Sequence, residues 1–237
     1  MIVFNGITLE SVAPVKIEDI RVSPIKYNPI TRPRAIRFGS EFVRMGGGER
    51  TIAVTFALPV MNNVTRNEYL MNIRQWAKSD AEYKLELPID PLRYLDCVCT
   101  AKPEPSTRQW WESKLRLVFT CFSNPYWTSK GEKSVSCGTQ FMVLGDAPPL
   151  MQVTRTVSGS AASNQSYAMD GRTMTFSSIP VGTMTIDLNN QTASSKNGNT
   201  VTDLMQYYNP SGSFIIPRTG SQKITGTGSV LWRERWE

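Results

Sequence analysis

The sequence predicts a mainly β protein of two domains, with one helix in the first domain. Short runs of alternating apolar and polar residues recur between turn signals along most of the 237 residues. A single stretch, residues 65–78, repeats its apolar residues with the period of a helix. Charge also divides the chain, because residues 1–133 carry 19 Lys and Arg with 14 Asp and Glu, whereas residues 134–237 carry 7 and 6. We therefore expect a first domain over 1–133 and a second over 134–237.

The first domain is predicted to consist of strands packed on the helix. Thr65 and Glu68 have the spacing of a capping box at the start of the helix, whose apolar face should lie on the sheet. Residues 46–49 (Gly-Gly-Gly-Glu) predict the flexible, charged tip of a hairpin between strands 35–45 and 50–58. No Lys-Ser or Lys-Thr follows these glycines and a strand comes next, which argues against a phosphate-binding loop. The other predicted strands are residues 2–9, 15–22, 83–87, 93–101 and 110–121.

The last strand of the first domain runs into a proline corner. Apolar and polar residues alternate from Lys114 to Cys121, which predicts one apolar face. Pro125 lacks a backbone donor and ends the pairing. Tyr126 and Trp127 follow it, and rings of this size are predicted to fill the seam between the two domains and to fix the angle between them.

The second domain is low in charge and rich in Ser, Thr, Asn and Gly. Its short alternating runs, with no helical period, predict a β-sandwich of the jelly-roll or lectin-like type. Tight turns are predicted at Asp170-Gly171 and Asn197-Gly198. In the last strand we expect Trp232 to lie in the core or at the seam. The predicted strands are residues 140–144, 150–157, 166–169, 172–179, 183–188, 201–207, 214–216 and 230–236.

The residue inventory argues against several kinds of site. Without histidine the chain has no Ser-His-Asp or Cys-His arrangement and no histidine-ligated metal. The four cysteines do not have the spacing of a zinc site and are predicted to be buried free thiols in a reducing cytosol. A net charge of +6 spread among acids argues against sequence-specific nucleic-acid contact, and no apolar run approaches the ~20 residues that cross a bilayer. We therefore expect no catalytic site, metal, cofactor or membrane contact, and we expect no secretion signal in residues 1–6, which lack its basic region and apolar run.

Four segments of the chain resemble the distal tail proteins of long-tailed, non-contractile bacteriophages. Their order and spacing across both domains carry the resemblance over nearly the full length. The segments are residues 50–56 (Arg-Thr-Ile-Ala-Val-Thr-Phe) with the following helix, 124–127 (Asn-Pro-Tyr-Trp), 184–188 (Met-Thr-Ile-Asp-Leu) with 197–199 (Asn-Gly-Asn), and 230–236 (Val-Leu-Trp-Arg-Glu-Arg-Trp). The chain departs from the related sandwiches at residues 207–212 (Tyr-Tyr-Asn-Pro-Ser-Gly), where they have a simpler Pro-Gly turn.

The resemblance implies a structural hub and not an enzyme. Its N-terminal belt domain would be a split β-barrel or sheet with a helix, and its C-terminal domain a galectin-like sandwich. Six copies would form a ring at the tail tip of the virion, after assembly in the host cytoplasm. The implied partners are further copies of the chain, the major tail tube protein, the tail-associated lysin or tail-tip protein, and a receptor-binding protein or host glycan.

A ring subunit must expose two different and complementary patches. We expect these patches in the basic segment that follows Pro24 and around the predicted hairpin tip, although the same residues are equally compatible with solvated surface. The candidates for subunit contacts are Arg32, Arg34, Arg37, Arg44, Glu49 and Arg50.

Two other functions compete with the structural one. A lectin-like second domain could recognise carbohydrate on a host through aromatic rings, for which the candidates are Tyr167, Tyr207 and Tyr208. A glycoside hydrolase would need two carboxylates about 5–10 Å apart across a cleft. The acidic candidates in the second domain are Asp170, Asp187 and Asp203, and their small number argues against this activity.

Overall fold

The computed structural model describes residues 1–33, 40–59, 61–103 and 114–237, and for residues 28–33 and 40–47 it describes the backbone alone. The chain forms two compact units. Unit 1 comprises Met1–Trp127 with Glu237, and unit 2 comprises Thr128–Trp236. The boundary between the units lies close to the change in charge density near residue 133.

Unit 1 is an antiparallel β structure with one long helix. Strand β5 pairs with β3, β4 and β8, and the ladder continues from β8 through β7, β6 and β1 to β2. The segment predicted as one strand over residues 2–9 is divided into β1 and β2 by a turn at Asn5 and Gly6, whose φ angles are 50° and 76°. The elements are β1 (Val3–Phe4), β2 (Ile7–Thr8), α1 (Leu9–Val12), β3 (Lys16–Val22), β4 (Lys26–Pro33), β5 (Ser40–Ala57), α2 (Asn63–Trp76), β6 (Tyr83–Leu87), β7 (Asp90–Ala101) and β8 (Lys114–Cys121).

Helix α2 packs its apolar face on the sheet, as predicted. Leu70 and Ile73 are fully buried. The Trp76 ring lies 5.7 Å from the Phe4 ring of β1 and 6.3 Å from the Phe119 ring of β8, measured between centroids. Edge-to-face contacts at this distance add to the stabilisation from burial alone. The helix therefore forms one wall of the unit 1 core.

The predicted capping box is wrong, because α2 begins at Asn63 and Asn62 is its N-cap. The Oδ1 atom of Asn62 accepts a hydrogen bond of 2.8 Å from the backbone N–H of Thr65. This N–H is one of the donors that the first turn of a helix leaves without an intrahelical partner. Thr65 is thus already inside the helix, and asparagine provides the cap that the Thr-Glu spacing suggested.

The hairpin tip predicted at residues 46–49 is also wrong, because β5 runs through them without a turn. Gly48 is paired with Tyr27 of β4. A Cβ atom on Gly48 would lie only 2.4 Å from Cγ2 of Ile25. Glycine at this position permits close packing between the two strands and does not mark a turn. The basic segment that follows Pro24 includes strand β4 (Lys26–Pro33), which pairs with β5.

Strand β8 has the predicted alternation, with Leu115, Leu117 and Phe119 buried. Residues 110–113, predicted to begin this strand, lie outside the described residues. After β8 ends, a carboxylate oxygen of Glu82 accepts hydrogen bonds from the backbone N–H groups of Phe122 at 2.7 Å and Ser123 at 3.0 Å. Burial alone would raise the pKa of Glu82, but these hydrogen bonds favour the charged form and lower it. Glu82 thereby holds the chain at the point where strand pairing stops.

Unit 2 is a β-sandwich, which confirms the predicted fold class. One sheet has the strand order β17-β16-β15-β12-β19-β10, and the pairs β11–β18 and β13–β14 oppose it around a shared apolar core. The elements are β9 (Trp127–Ser129), β10 (Lys133–Ser136), β11 (Gln140–Val143), β12 (Ala147–Val157), β13 (Ala162–Met169), β14 (Arg172–Ile179), β15 (Gly182–Asp187), β16 (Thr192–Asn197), β17 (Thr200–Asp203), a 3-10 helix (Met205–Tyr207), β18 (Gly220–Lys223) and β19 (Ser229–Trp236).

Strand β19 lines the core of unit 2 with one of its faces. Trp232 is 6% exposed and its ring lies 4.6 Å from the Phe141 ring, so its predicted place in the core is confirmed. Glu234, on the same face, is also buried. Its Oε1 atom accepts hydrogen bonds from Nζ of Lys133 at 2.6 Å and from the Leu144 N–H at 3.0 Å. These partners compensate for the burial of the carboxylate.

Several strands of unit 2 differ from the prediction. Residues 201–207 divide into β17 and the 3-10 helix, and residues 214–216 form no strand. Strands β10, β16 and β18 were not predicted, because residues such as 192–197 (Thr-Ala-Ser-Ser-Lys-Asn) show no clear apolar alternation. The turn predicted at Asp170 and Gly171 is confirmed by φ angles of 49° and 74°.

The four cysteines are free, as predicted. Cys97, Cys99 and Cys121 are buried, and Cys137 is partly buried. Within the described ranges, no helix has both the length and the apolar character needed to cross a membrane.

Candidate functional site

Of the six residues predicted for subunit contacts, four lie in strands β4 and β5 of the described structure: Arg32, Arg44, Glu49 and Arg50. Arg34 and Arg37 fall outside the described residues. Arg32 lies in β4 and Arg44 in β5, where the structure describes the backbone alone. No side chain is therefore described for Arg32, Arg34, Arg37 or Arg44, so these four residues are not assigned to a surface.

Glu49 and Arg50 differ sharply in exposure. Glu49 is exposed and is paired with Lys26 of β4. Arg50 is only 4% exposed and is paired with Cys121 of β8. The Arg50 side chain therefore lies inside its own chain and is not on the surface that a neighbouring subunit would meet.

Large apolar side chains on the surface of unit 1 are a second candidate for contacts. Sequence reasoning missed them, because a periodic pattern assigns apolar residues to the core. Exposed patches of this kind are typical of sites where a protein binds a partner. Among the described residues of unit 1, the exposed large apolar side chains are Met1, Ile7, Val64, Met71, Ile89, Leu92 and Phe122.

One apolar patch is the end of the β6–β7 hairpin, residues 88–92 (Pro-Ile-Asp-Pro-Leu), which we name the tip. Leu87 pairs with Asp90, so two residues form the loop. Ile89 is 55% and Leu92 is 77% exposed. Asp90 forms an ion pair of 3.1 Å with Arg93 at the base of the tip. Two prolines in five residues restrict the backbone, so the apolar side chains are presented by a stiff segment.

A second feature of unit 1 is an open groove of about 400 Å³ beside helix α2, which we name the α2 groove. Of its apolar lining residues, Ile7 is exposed, whereas Phe4 and Trp76 are buried. The indole N–H of Trp76 donates a hydrogen bond of 3.0 Å to the Ile7 carbonyl and fixes one wall. The Phe4 ring packs against Trp76 below it. The apolar lining residues are Phe4, Ile7, Val12 and Trp76, and the polar ones are Asn5, Asn72, Gln75 and Lys78.

The two residues predicted to fill the seam differ in exposure. Trp127 is 9% exposed and Tyr126 is partly buried. Just before them, the Asn124 side-chain amide donates a hydrogen bond of 3.3 Å to a carboxylate oxygen of Asp96. Burial raises the pKa of Asp96, and the bond from Asn124 opposes that rise. The predicted role of the two rings in setting the angle between domains stays a prediction.

The three tyrosines predicted for carbohydrate contact are largely occupied within unit 2. Tyr167 is fully buried, and its hydroxyl donates a hydrogen bond of 3.0 Å to the Thr227 carbonyl. Tyr207 and Tyr208 are partly buried. The Tyr208 ring packs against the Phe176 ring at 5.8 Å between centroids. A sugar could not reach Tyr167 in this fold, and Tyr208 contributes to the aromatic core.

The acidic candidates for a hydrolase each have a local structural role. Asp187 accepts hydrogen bonds from the backbone N–H groups of Asn189 at 2.9 Å and Asn190 at 3.0 Å. Asp203 accepts one of 2.9 Å from the Met205 N–H at the start of the 3-10 helix. Asp170 forms part of the tight turn before β14. The described residues contain no group of three or more acidic or cysteine side chains that could hold a metal ion.

The fold has a close counterpart among solved structures. The crystal structure of SPP1 Dit (gp 19.1), described as a paradigm of the hub adsorption apparatus in phages that infect Gram-positive bacteria, superposes with a TM-score of 0.72. The alignment covers 100% of this chain and 98% of the SPP1 chain, at 15% sequence identity. The chain has the fold of a distal tail protein.

The similarity to SPP1 Dit extends over both units, because the alignment covers the whole chain. Two structures of the phage p2 baseplate in its activated conformation, with Sr and with Ca, match with TM-scores of 0.45 and 0.47 at 9% identity. These alignments cover 92% and 94% of this chain and 89% and 90% of the p2 chains. No family model and no curated protein matches the sequence. The resemblance that the sequence suggested is therefore confirmed as a shared fold.

Proposed function

We propose that this chain is a structural component of a bacteriophage tail, a distal tail protein that forms a hexameric ring. The ring would join the tail tube to the tail tip or baseplate and its adsorption apparatus. The observation that carries the proposal is the match to SPP1 Dit along the whole chain, with a TM-score of 0.72. A fold shared over both units favours a shared architectural role more than a match to a single sandwich would.

The surface of unit 1 supports this proposal. A closed ring of identical subunits needs two different patches on each copy that fit each other. Unit 1, which resembles the ring-forming domain, exposes large apolar side chains at separate places, among them Ile7 on β2 and Ile89 and Leu92 on the tip. In unit 2 the aromatic candidates for sugar binding pack wholly or partly against the interior, so the structural role is favoured over carbohydrate recognition.

The proposed partners follow from this position in the tail. They are further copies of the chain, the major tail tube protein on one side, and the tail-associated lysin or tail-tip protein on the other, with a receptor-binding protein at the periphery. The protein would be assembled in the host cytoplasm and end at the tail tip of the virion. Its role would be mechanical and would require no catalysis.

The test is the assembly state of the full chain. The purified protein is examined by light scattering coupled to size exclusion and by negative-stain microscopy. We expect particles of six times the 26.6 kDa subunit mass, with six-fold symmetry and a central channel. A chain that stays monomeric at high concentration, and also after addition of the purified tube and tail-tip proteins, would contradict the proposal.

A further inference from the structure

We propose that Cys97 and Cys121 are an oxidisable pair, which forms a disulfide between strands β7 and β8 in an oxidising medium. The inference goes beyond the proposed function, because it stands on the pairing of these two strands and not on a role in a phage tail. It assigns a modification site to two thiols that are free in the structure.

The register of β7 and β8 places these two cysteines opposite each other. Val98 of β7 pairs with Thr120 of β8, and the two strands are antiparallel. One step further along both strands, Cys97 therefore faces Cys121. Directly opposed residues of antiparallel strands have Cα atoms about 4.5–5.5 Å apart, and a disulfide spans about 4.4–6.8 Å. The backbone geometry thus suits a bond between the two sulfur atoms.

The two thiols also interact with each other in the reduced protein. Both side chains are fully buried on the core face of the sheet. Burial raises the pKa of Cys97, and a hydrogen bond with the Cys121 side chain raises it further. The folded chain therefore holds the pair as uncharged thiols, in mutual contact and protected from reaction while β7 and β8 stay paired.

The other two cysteines have no cysteine opposite them. Cys99 pairs with Phe119, and its Sγ atom donates a hydrogen bond of 3.5 Å to the Ala101 carbonyl. Two positions along one strand are roughly 6.8 Å apart, at the upper limit of what a disulfide spans, which disfavours a bond between Cys97 and Cys99. Cys137 lies in unit 2. The geometry therefore selects one pair among the four thiols.

The pair lies where strand pairing stops, and this position gives an oxidant a route to it. Cys121 is the last residue of β8. Beyond it the chain is held by the hydrogen bond of 2.7 Å from the Phe122 N–H to Glu82. The ends of strands open at a lower cost in free energy than their centres. An opening confined to this end of β8 would expose Cys121 first.

The reaction is a thiol–disulfide exchange with a small disulfide such as oxidised glutathione. The Cys121 thiolate attacks the small disulfide, a mixed disulfide forms, and one glutathione thiolate leaves. Cys97 then attacks the Cys121 sulfur and displaces the second glutathione thiolate. The two cysteines lose two electrons and two protons in all, and oxidised glutathione gains them. A reducing cytosol reverses this reaction, so the bond persists only after the chain enters an oxidising medium.

The experiment is oxidation of the folded, full-length wild-type chain with oxidised glutathione, followed by peptide mapping. The sample is quenched with acid, alkylated in denaturant and digested with trypsin. Cys97 and Cys99 fall in one peptide, residues 94–108, and Cys121 falls in another, residues 117–130. Fragment ions that divide the first peptide at Val98 show which sulfur is linked. We expect the Cys97–Cys121 link to exceed the Cys99–Cys121 link about tenfold or more, because only the first pair is directly opposed.

A matched pair of variants measures what the bond does to stability. Cys97→Ala and Cys99→Ala each remove a buried thiol from the same face of β7. Oxidation should raise the Tm of the wild type and of Cys99→Ala by about 10 °C, because the bond closes the segment between residues 97 and 121 in the unfolded chain. Oxidation should leave the Tm of Cys97→Ala unchanged. Each oxidised protein is compared with its own reduced form, so a loss of stability from the substitution itself does not affect the result.

The peptide map of the wild type decides the assignment without any substitution. A dominant Cys97–Cys121 link, with a raised Tm, supports the inference. The inference is overturned if the folded chain forms no such link under conditions that oxidise the urea-unfolded chain. Equal linkage of Cys97 and Cys99 to Cys121 would also overturn it, as would an oxidised form with a Tm no higher than that of the reduced form.

Discussion

Replacement of Gly48 by alanine is expected to destabilise unit 1, because β5 passes through this residue in close contact with β4. A Cβ at residue 48 would lie 2.4 Å from Cγ2 of Ile25 and 3.2 Å from Cδ1 of Tyr27. Carbon atoms pack at about 3.5–4.0 Å, so Ile25 would have to move, and its β-branched side chain has few alternative rotamers. Overpacking costs about 1–3 kcal/mol, and alanine regains about 0.5–1 kcal/mol over glycine in a strand. The difference between these two terms is a net loss of about 1 kcal/mol, and at most about 2.5 kcal/mol.

The measurement is urea unfolding of Gly48→Ala, with hydrogen exchange to locate the loss of protection in β4 and β5. Gly131→Ala is the matched control, because its nearest neighbouring atom would be 3.9 Å away. The double variant Gly48→Ala with Ile25→Ala should show a favourable coupling, since the smaller side chain removes the clash. An unfolding free energy for Gly48→Ala that equals or exceeds the wild-type value would refute the close packing of β4 and β5.

Three further predictions test other parts of the fold. Asn62→Ala should lower the stability of unit 1 by about 1 kcal/mol through loss of the N-cap, while Thr65→Ala, measured in the same thermal scans, should change it much less. The pKa of Glu82 is lower in the folded chain than in the unfolded chain, so the stability that Glu82 contributes is present above the unfolded pKa of about 4.3 and is lost as the pH falls through the folded pKa. Glu82→Gln should therefore reduce the fall in unfolding free energy at acid pH. An unchanged pH dependence of the unfolding free energy would contradict this role of Glu82. Trp232→Ala should lower the free energy of unfolding by about 3–5 kcal/mol, because it removes a large side chain from the core. A folded variant as stable as the wild type would show that the ring is not needed for packing.

Elements with one buried face could be predicted from the sequence. The strand over 83–87 was predicted with the bounds that the structure gives, and the helix to within two residues at each end. In β8, Leu115, Leu117 and Phe119 alternate with exposed or partly buried residues, and a pattern of period two is typical of a strand with one face in the core. In such segments the sequence records directly which side chains face the core.

Elements whose environment is set by distant residues could not be predicted in this way. Three consecutive glycines occur in turns, but they also occur where another strand approaches closely, and the nearness of Ile25 to Gly48 is known only from the fold. The cap of α2 was missed because two residues near its start, Asn62 and Thr65, are both good N-caps. Choosing between them requires the backbone conformation at the start of the helix.

The search for a contact surface shows the same limit in a form that bears on function. Sequence reasoning looked for them among charged residues near β5, yet Arg50 is buried within its own chain. Charged residues form the rim of most interfaces, whereas aromatic and apolar residues supply the centre. Apolar residues in a sequence are assigned to the core by default, so an apolar contact surface is recognised only when a fold leaves it outside. Ile89 and Leu92 are left outside on a stiff, proline-bounded tip. Exposed apolar side chains of this kind are typical of sites where a protein binds a partner, so we expect the tip to lie at such a contact.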